Sequence, residues 1–119
     1  MRASRFHTLV LLATVWCFTG RANGHAIVLS AVPGVNETVN GPDVPVKLRF
    51  NSRIDAQRSK LVLVGPNGEQ SELSVVQPRE ANSLASEAKG LKTGSYVLRW
   101  QVLANDGHIT RGEVLFRVR

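Results

Sequence analysis

Gly94-Ser95-Tyr96-Val97-Leu98-Arg99-Trp100-Gln101-Val102-Leu103-Ala104-Asn105-Asp106-Gly107-His108 is the stretch whose reading decides the fold. Tyr96, Leu98, Trp100 and Val102 fall on one side of an extended chain, and Val97, Arg99 and Gln101 on the other. That is the period of two expected when one face of a strand is buried. Val114, Phe116 and Val118 repeat the pattern against Glu113 and Arg117, and Asn105-Asp106-Gly107 stands between the two runs as a turn signal. Working outward, Val44, Val46, Leu48 and Phe50 alternate with Pro45, Lys47 and Arg49 in the same way. Residues 61–64 form a short apolar run ended by Gly65-Pro66-Asn67-Gly68, which predicts a hairpin into residues 70–76. Residues 26–32 and Ser83–Ala88 are weaker strand candidates. With further turn signals at Pro33-Gly34, Gly41-Pro42 and Thr93-Gly94, about seven short strands predict an all-β chain folded as a single Greek-key β-sandwich or barrel, immunoglobulin-like in layout. Residues 81–89 contain helix formers, but Asn82, Ser83 and Ser86 interrupt any apolar face, which leaves a strand or an irregular loop.

The chain has 119 residues, of which 43% are hydrophobic, enough for one domain with a modest core. Residues 1–24 read as a secretory signal. Arg2 and Arg5 supply a positive start, residues 9–18 an apolar stretch, and Ala22-Asn23-Gly24 the small residues a signal peptidase inspects. Cleavage after Gly24 makes His25 the amino terminus of a domain spanning residues 25–119. The apolar stretch of roughly ten residues falls short of the ~20 a membrane-spanning helix needs, and no later run approaches that length. The mature protein is therefore expected not to be an integral membrane protein. Cys17 lies inside the signal behind Trp16, where a lipoprotein signal carries a small residue, so the mature chain keeps no cysteine and must be held by its core or by a ligand.

The whole chain carries 15 basic and 9 acidic side chains, a net charge of +6. Without Arg2, Arg5 and Arg21 the remaining 95 residues carry 12 and 9, a net +3, which is ordinary for a soluble domain. Lys47, Arg49, Arg99, Arg117 and Arg119 alternate with apolar neighbours and do not cluster with aromatics, so no nucleic-acid partner is expected.

His25 and His108 are the only histidines of the expected mature segment. An amino-terminal histidine offers a metal its free amine and its ring Nδ1 together, closing a six-membered chelate with almost no loop entropy to lose. His108 follows Asp106 by two positions at the tip of the hairpin; in locally extended backbone the two side chains project to one side and can converge on one ion. Two imidazoles, an amine and a carboxylate form a nitrogen-rich donor set suited to a tetragonal Cu(II) centre, which by the Irving–Williams order holds Cu(II) more tightly than Zn(II). The same residues admit plainer readings: His108 as a turn residue beside an Asp-Gly pair, and His25 as a frayed, exposed terminus. Tyr96, Trp100 and Phe116 read as core, and Glu37, Asp43 and Glu113 as solvated surface.

Taken together, His25-Ala26-Ile27-Val28-Leu29-Ser30-Ala31-Val32-Pro33-Gly34 resembles the mature start of the CopC copper-binding proteins, which begin with His-Ala and carry Ser-x-x-Pro shortly after. Residues 94–108, with Gly112 and Phe116-Arg117-Val118, are similar to that family's closing hairpin with its Gly-x-Tyr-x-x-x-Trp and Asp-Gly-His signatures. The resemblance spans essentially all of residues 25–119. It implies a cupredoxin-like or immunoglobulin-like sandwich binding one Cu(II) ion outside the cytoplasm, in the periplasm, with His25, Asp106 and His108 as ligands. It further implies a role in copper resistance or homeostasis, as carrier or sequestrant, or in delivery to a membrane copper importer of the CopD type. Some members carry a methionine-rich Cu(I) site; here Met1 is the only methionine and leaves with the signal. Where relatives often have an acidic residue two positions after Phe50, this chain has Ser52, with Asp55 nearby.

The expected mechanism is ligand exchange, without covalent chemistry. An amine ligand must lose a proton whose ordinary pKa is about 7.7–8.0, so acidification should release copper. Two other function classes fit parts of the pattern. A histidine-brace oxidative enzyme would share the amino-terminal chelate, but 95 residues leave little room for a flat aromatic substrate surface, and an added carboxylate ligand opposes redox cycling. A metal-free immunoglobulin-like adhesion or structural domain would require the amino terminus to lie far from residues 106–108.

Overall fold

A computed structural model describes residues 26–119. Two antiparallel-dominated sheets face each other. The smaller contains β1 (Val28–Val32), β3 (Val44–Phe50) and β6 (Ser83–Ala88) in the order β1-β3-β6; the larger contains β2 (Thr38–Val39), β4 (Ile54–Val64), β5 (Gln70–Leu73), β7 (Gly94–Ala104) and β8 (Ile109–Val118) in the order β2-β8-β7-β4-β5. The expected all-β sandwich is therefore what forms, with eight strands among the described residues in place of seven. The additional strand, β2, is two residues long and pairs parallel with β8, Thr38 beside Arg117 and Val39 beside Val118. Two residues cannot show an alternation, which is why periodicity passes over it. Residues 81–89 resolve as strand β6, and among the described residues no helix is long and apolar enough to cross a membrane.

The alternation read from the sequence is what closes the core. In β3 every second residue, Val44, Val46, Leu48 and Phe50, is at most 2% exposed, and in β7 Tyr96, Leu98, Trp100, Val102 and Ala104 face the same interior. Burying each large apolar side chain contributes about 1.5–3 kcal/mol. The Phe50 and Trp100 rings meet edge to face with centroids 5.3 Å apart, and Tyr96 stacks on Phe116 at 5.6 Å. Both contacts bridge residues far apart in sequence, and offset or edge-to-face pairs of this kind add to the burial term. Trp100 lies across Gly112, its partner on β8, in the space a Cβ would occupy, so glycine there is a packing requirement.

β7 and β8 pair without interruption from Gly94–Val118 to Leu103–Ile109. β4 is less regular. Its register against β7 shifts between Asp55 and Lys60, which oppose Leu103 and Gln101, so the extra β4 residues bulge outward. Side chains replace the lost ladder bonds: Asp55 Oδ1 accepts the N–H groups of Gln57 and Arg58, Ser59 Oγ donates to Asp55 O at 2.6 Å, and Leu103 N donates to Ser59 Oγ at 3.3 Å. This bulge is why the first half of β4 shows no alternation in sequence.

Candidate metal centre

The tip between β7 and β8 is a tight turn built from its own side chains. Ala104 N donates to His108 O and Gly107 N to Ala104 O, both at 2.9 Å, and Gly107 adopts a φ of +86°, a conformation glycine reaches without strain. Asp106 Oδ1 accepts the backbone N–H of His108 at 3.0 Å, an Asx turn. The other carboxylate oxygen, Oδ2, lies 3.0 Å from His108 Nδ1. Asp106 and His108 lie side by side, but not through extended backbone: the Asx turn with the positive φ of Gly107 brings the two side chains together.

His108 is 56% and Asp106 37% exposed in their side chains, so the pair faces outward over the buried Ala104. Hydrogen bonds from the His108 side chain, and then from its backbone N–H, hold the Asp106 carboxyl below the usual carboxylate range. A carboxylate and an imidazole nitrogen 3.0 Å apart have the separation of adjacent ligands on one first-row divalent ion with bonds of about 2.0–2.2 Å. Among the described residues no third His, Cys, Asp or Glu joins them in a metal-holding group. His25, the third expected ligand, lies outside the described residues.

The chain enters the fold at this same end. Ala26 is 2% exposed and belongs to the core cluster. Ile27 N donates to Asn51 Oδ1 at 2.8 Å, and Asn51 N donates back to Ile27 O at 3.0 Å. Two residues on, Arg53 O accepts from Asn105 N at 3.0 Å, directly beside Asp106. A short relay of hydrogen bonds thus ties the entry point to the turn through residues 51–53. Asn51 escaped the reading of the sequence; the available signal was an amide side chain placed immediately after the last core residue of β3, where it can imitate a strand partner.

Among the described residues the buried Ser52 Oγ has no hydrogen-bond partner. Asp55 is engaged elsewhere: its oxygens hold the β4 bulge and lie 3.8 Å from Arg58 Nε. Tyr96, Trp100 and Phe116 are buried as expected. Glu37, Asp43 and Glu113 are exposed, and each has a structural partner: Glu37 accepts Gly34 N, Asp43 accepts Gly90 N, and Glu113 pairs with Arg99.

Residues 28–119 match the family model of the CopC domain. The structure resembles that of CopC from Methylosinus trichosporium OB3b, with a TM-score of 0.74 and 29% identity over 79% of this chain and 93% of that one. It also resembles PcoC, a methionine-rich copper resistance protein from Escherichia coli, with a TM-score of 0.66 and 23% identity over 80% of this chain and 99% of that one, a likeness of fold. Among sequence relatives, protein YobA of Escherichia coli K12 is 25% identical over 94% of this chain and 87% of its own length.

Proposed function

This chain belongs to the CopC family, and on that premise we propose that it is an exported copper-binding protein of copper resistance and homeostasis, which holds one Cu(II) ion at the Asp106–His108 end of the sandwich. The observation that carries the reading is the 3.0 Å approach of Asp106 Oδ2 to His108 Nδ1 at the end where Ala26 and Ile27 enter the fold. Covalent geometry keeps the Cα of residue 25 about 3.8 Å from that of Ala26. Cleavage after Gly24 therefore releases the His25 amine next to a fixed point, and the amine, the His25 ring, Asp106 and His108 together make the nitrogen-rich set that suits Cu(II). What supports residues 1–24 as a cleaved signal, and residues 25–119 as the periplasmic domain, is that Ala26 is already packed into the core two residues after that cut.

The protein's own residues do little chemistry beyond holding the ion. Asp106, kept ionised by its bonds to His108, supplies negative charge without first losing a proton at neutral pH. The amine and the imidazoles must be deprotonated to bind, so copper is taken up near neutrality and released on acidification. The outward-facing turn lets an acceptor approach the ion directly, which fits a carrier or sequestrant that passes copper by ligand exchange, including to a CopD-type membrane importer. With Met1 the only methionine, thioether ligation of Cu(I) is absent from this proposal.

The test is a Cu(II) titration of residues 25–119 with a free amino terminus, read by electron paramagnetic resonance, beside the same protein with one Met before His25. One equivalent bound with nitrogen hyperfine coupling, and weakened or altered by the added Met, is the expected result. Stoichiometric binding that ignores the added Met would remove the amine from the ligand set, and no stoichiometric binding at all would remove the copper reading.

A further inference from the structure

Beside the Asp106–His108 turn the structure opens a cleft of about 480 Å3 that the copper reading does not use. It is lined by three arginines, Arg53, Arg58 and Arg79, with Asp55 as the one acidic residue and Asn105 and Gly107 forming the rim next to Asp106. Its walls are fixed by backbone. Arg53 O accepts Asn105 N, Ile54 N donates to Ala81 O at 2.9 Å, and Gln77 Nε2 reaches Glu80 O at 3.3 Å. The β4 bulge carries Arg58 outward into this space. Asp55 lies 3.8 Å from Arg58 Nε and offsets one of the three positive charges, while its Oδ1 also accepts two backbone N–H groups. Glu80, next to Arg79, is turned to Lys47 at 3.3 Å. Among the described residues the side chains of Arg53 and Arg79 have no hydrogen bond or ion pair, so two guanidinium forks flank a preformed cleft with their donors unsatisfied by protein.

We propose that this cleft is a binding site for a small organic polycarboxylate, whose carboxylates are taken by Arg53, Arg58 and Arg79. A guanidinium presents paired N–H donors that match a carboxylate edge bidentately. Three such cations against one carboxylate leave a net +2 in the lining, which favours a ligand of two or more negative charges. The volume lies within the range of small-molecule sites and exceeds what an inorganic oxyanion fills, while the half-buried Ala81 and Leu103 in the lining give a carbon skeleton something to pack on. Among the described residues no aromatic side chain lines the cleft, which disfavours a stacked nucleobase. Binding of the polycarboxylate to the metal-free protein stands independently of the copper reading. Its coupling to copper rests on that reading: an ion at Asp106 adds positive charge at the rim, so the two ligands strengthen each other reciprocally.

Citrate is the probe, added to metal-free residues 25–119 and followed by calorimetry and by backbone amide NMR. Saturable one-site binding is expected, with shifts concentrated at residues 53–58, 77–81 and 104–107. Arg79→Gln and Arg53→Gln should each weaken it about tenfold, with unchanged circular dichroism. Arg99→Gln, a charge change on the Glu113 pair of β7 and β8, should leave it within about twofold. Absence of saturation in the millimolar range, equal weakening by Arg99→Gln, or equally tight binding of inorganic phosphate with the same shifts would each overturn the proposal. Because no metal is present, failure here leaves the Cu(II) titration untouched, and failure of that titration leaves this result standing.

Discussion

At the end of the sandwich where β4 passes into β5, and where β6 approaches β7, the backbone N–H groups of Gly65, Asn67, Gly68 and Gly90 and the Tyr96 hydroxyl are satisfied from within. Gly65 N donates to Glu69 O, Gly68 N to Gly65 O, Asn67 N to Glu69 Oε2, Gly90 N to Asp43 Oδ1, and Tyr96 Oη to Lys92 O at 2.7 Å. At the opposite end, built from the other tips of the same strands, Ser52 Oγ is buried without a partner and Arg53 and Arg79 have no ion pair among the described residues. Asp106 and His108 there face outward, bonded to one another. A polar group satisfied internally contributes about 0.5–1.5 kcal/mol to stability and has little left for a ligand. One left over keeps its interaction for something outside. Stability and binding are therefore expected to separate by end.

The sharpest way to break that separation is His108→Ala. It should lower Cu(II) affinity about a hundredfold, roughly 2.7 kcal/mol, while the metal-free protein unfolds within about 0.5 kcal/mol of its parent, as exposed substitutions do. Competition titration against a chelator, paired with urea unfolding, reads both quantities; a destabilised protein with intact affinity would invert the comparison. In the sheet body, Gly112→Ala should do the opposite. The added methyl meets Trp100, so about 1–3 kcal/mol of stability should be lost in urea, as in other overpacked cores, with copper affinity unmoved.

Asp106→Asn should weaken copper by about tenfold, less than His108→Ala, since a carboxylate contributes less than an imidazole in a nitrogen-rich set. It also sharpens the pH dependence. The Asp106 carboxyl is held below its usual range, so its favourable contribution is present above the unfolded value and is lost only as pH falls through the lowered one. From pH 7 down to about 5 it stays ionised, and proton competition for copper comes from the amine and imidazoles. Copper release followed by electron paramagnetic resonance should thus run parallel in the parent and in Asp106→Asn over that window. A shallower fall in Asp106→Asn would mean that the carboxylate itself titrates there, whereas a displaced but parallel profile follows from the weaker affinity alone. The smallest effect is expected from Tyr96→Phe at the closed end, about 1 kcal/mol of stability from one lost hydrogen bond, with copper binding unchanged.

What the sequence made legible follows from how each region is stabilised. β3 and β6 were read with their observed bounds, Val44–Phe50 and Ser83–Ala88, and the β7–β8 pair by its alternation, because burial of one face writes a period of two into the chain. The first half of β4 was hidden because Asp55 and Ser59 supply its bonds in place of the ladder, and such side-chain bonding leaves no periodic trace. Asp106 and His108 were legible as a pair from their spacing, yet the Asx turn that joins them is set by Gly107 and not by strand geometry. The arginine cleft was invisible: Arg53 and Arg58 flank the start of β4 while Arg79 comes from a distant segment, and only the β4 bulge and the fixed 77–81 segment collect them.

The clamp of Asn51 on Ile27 fixes the chain one residue beyond Ala26. On the proposed function that makes the cut after Gly24 an arming step. A precursor still carrying its leader has an amide where the mature protein has an amine, and a chain trimmed one residue too far has lost the histidine altogether. Competence to hold copper would then begin at export and not at synthesis, so the unprocessed protein would be blind to the metal inside the cell that makes it.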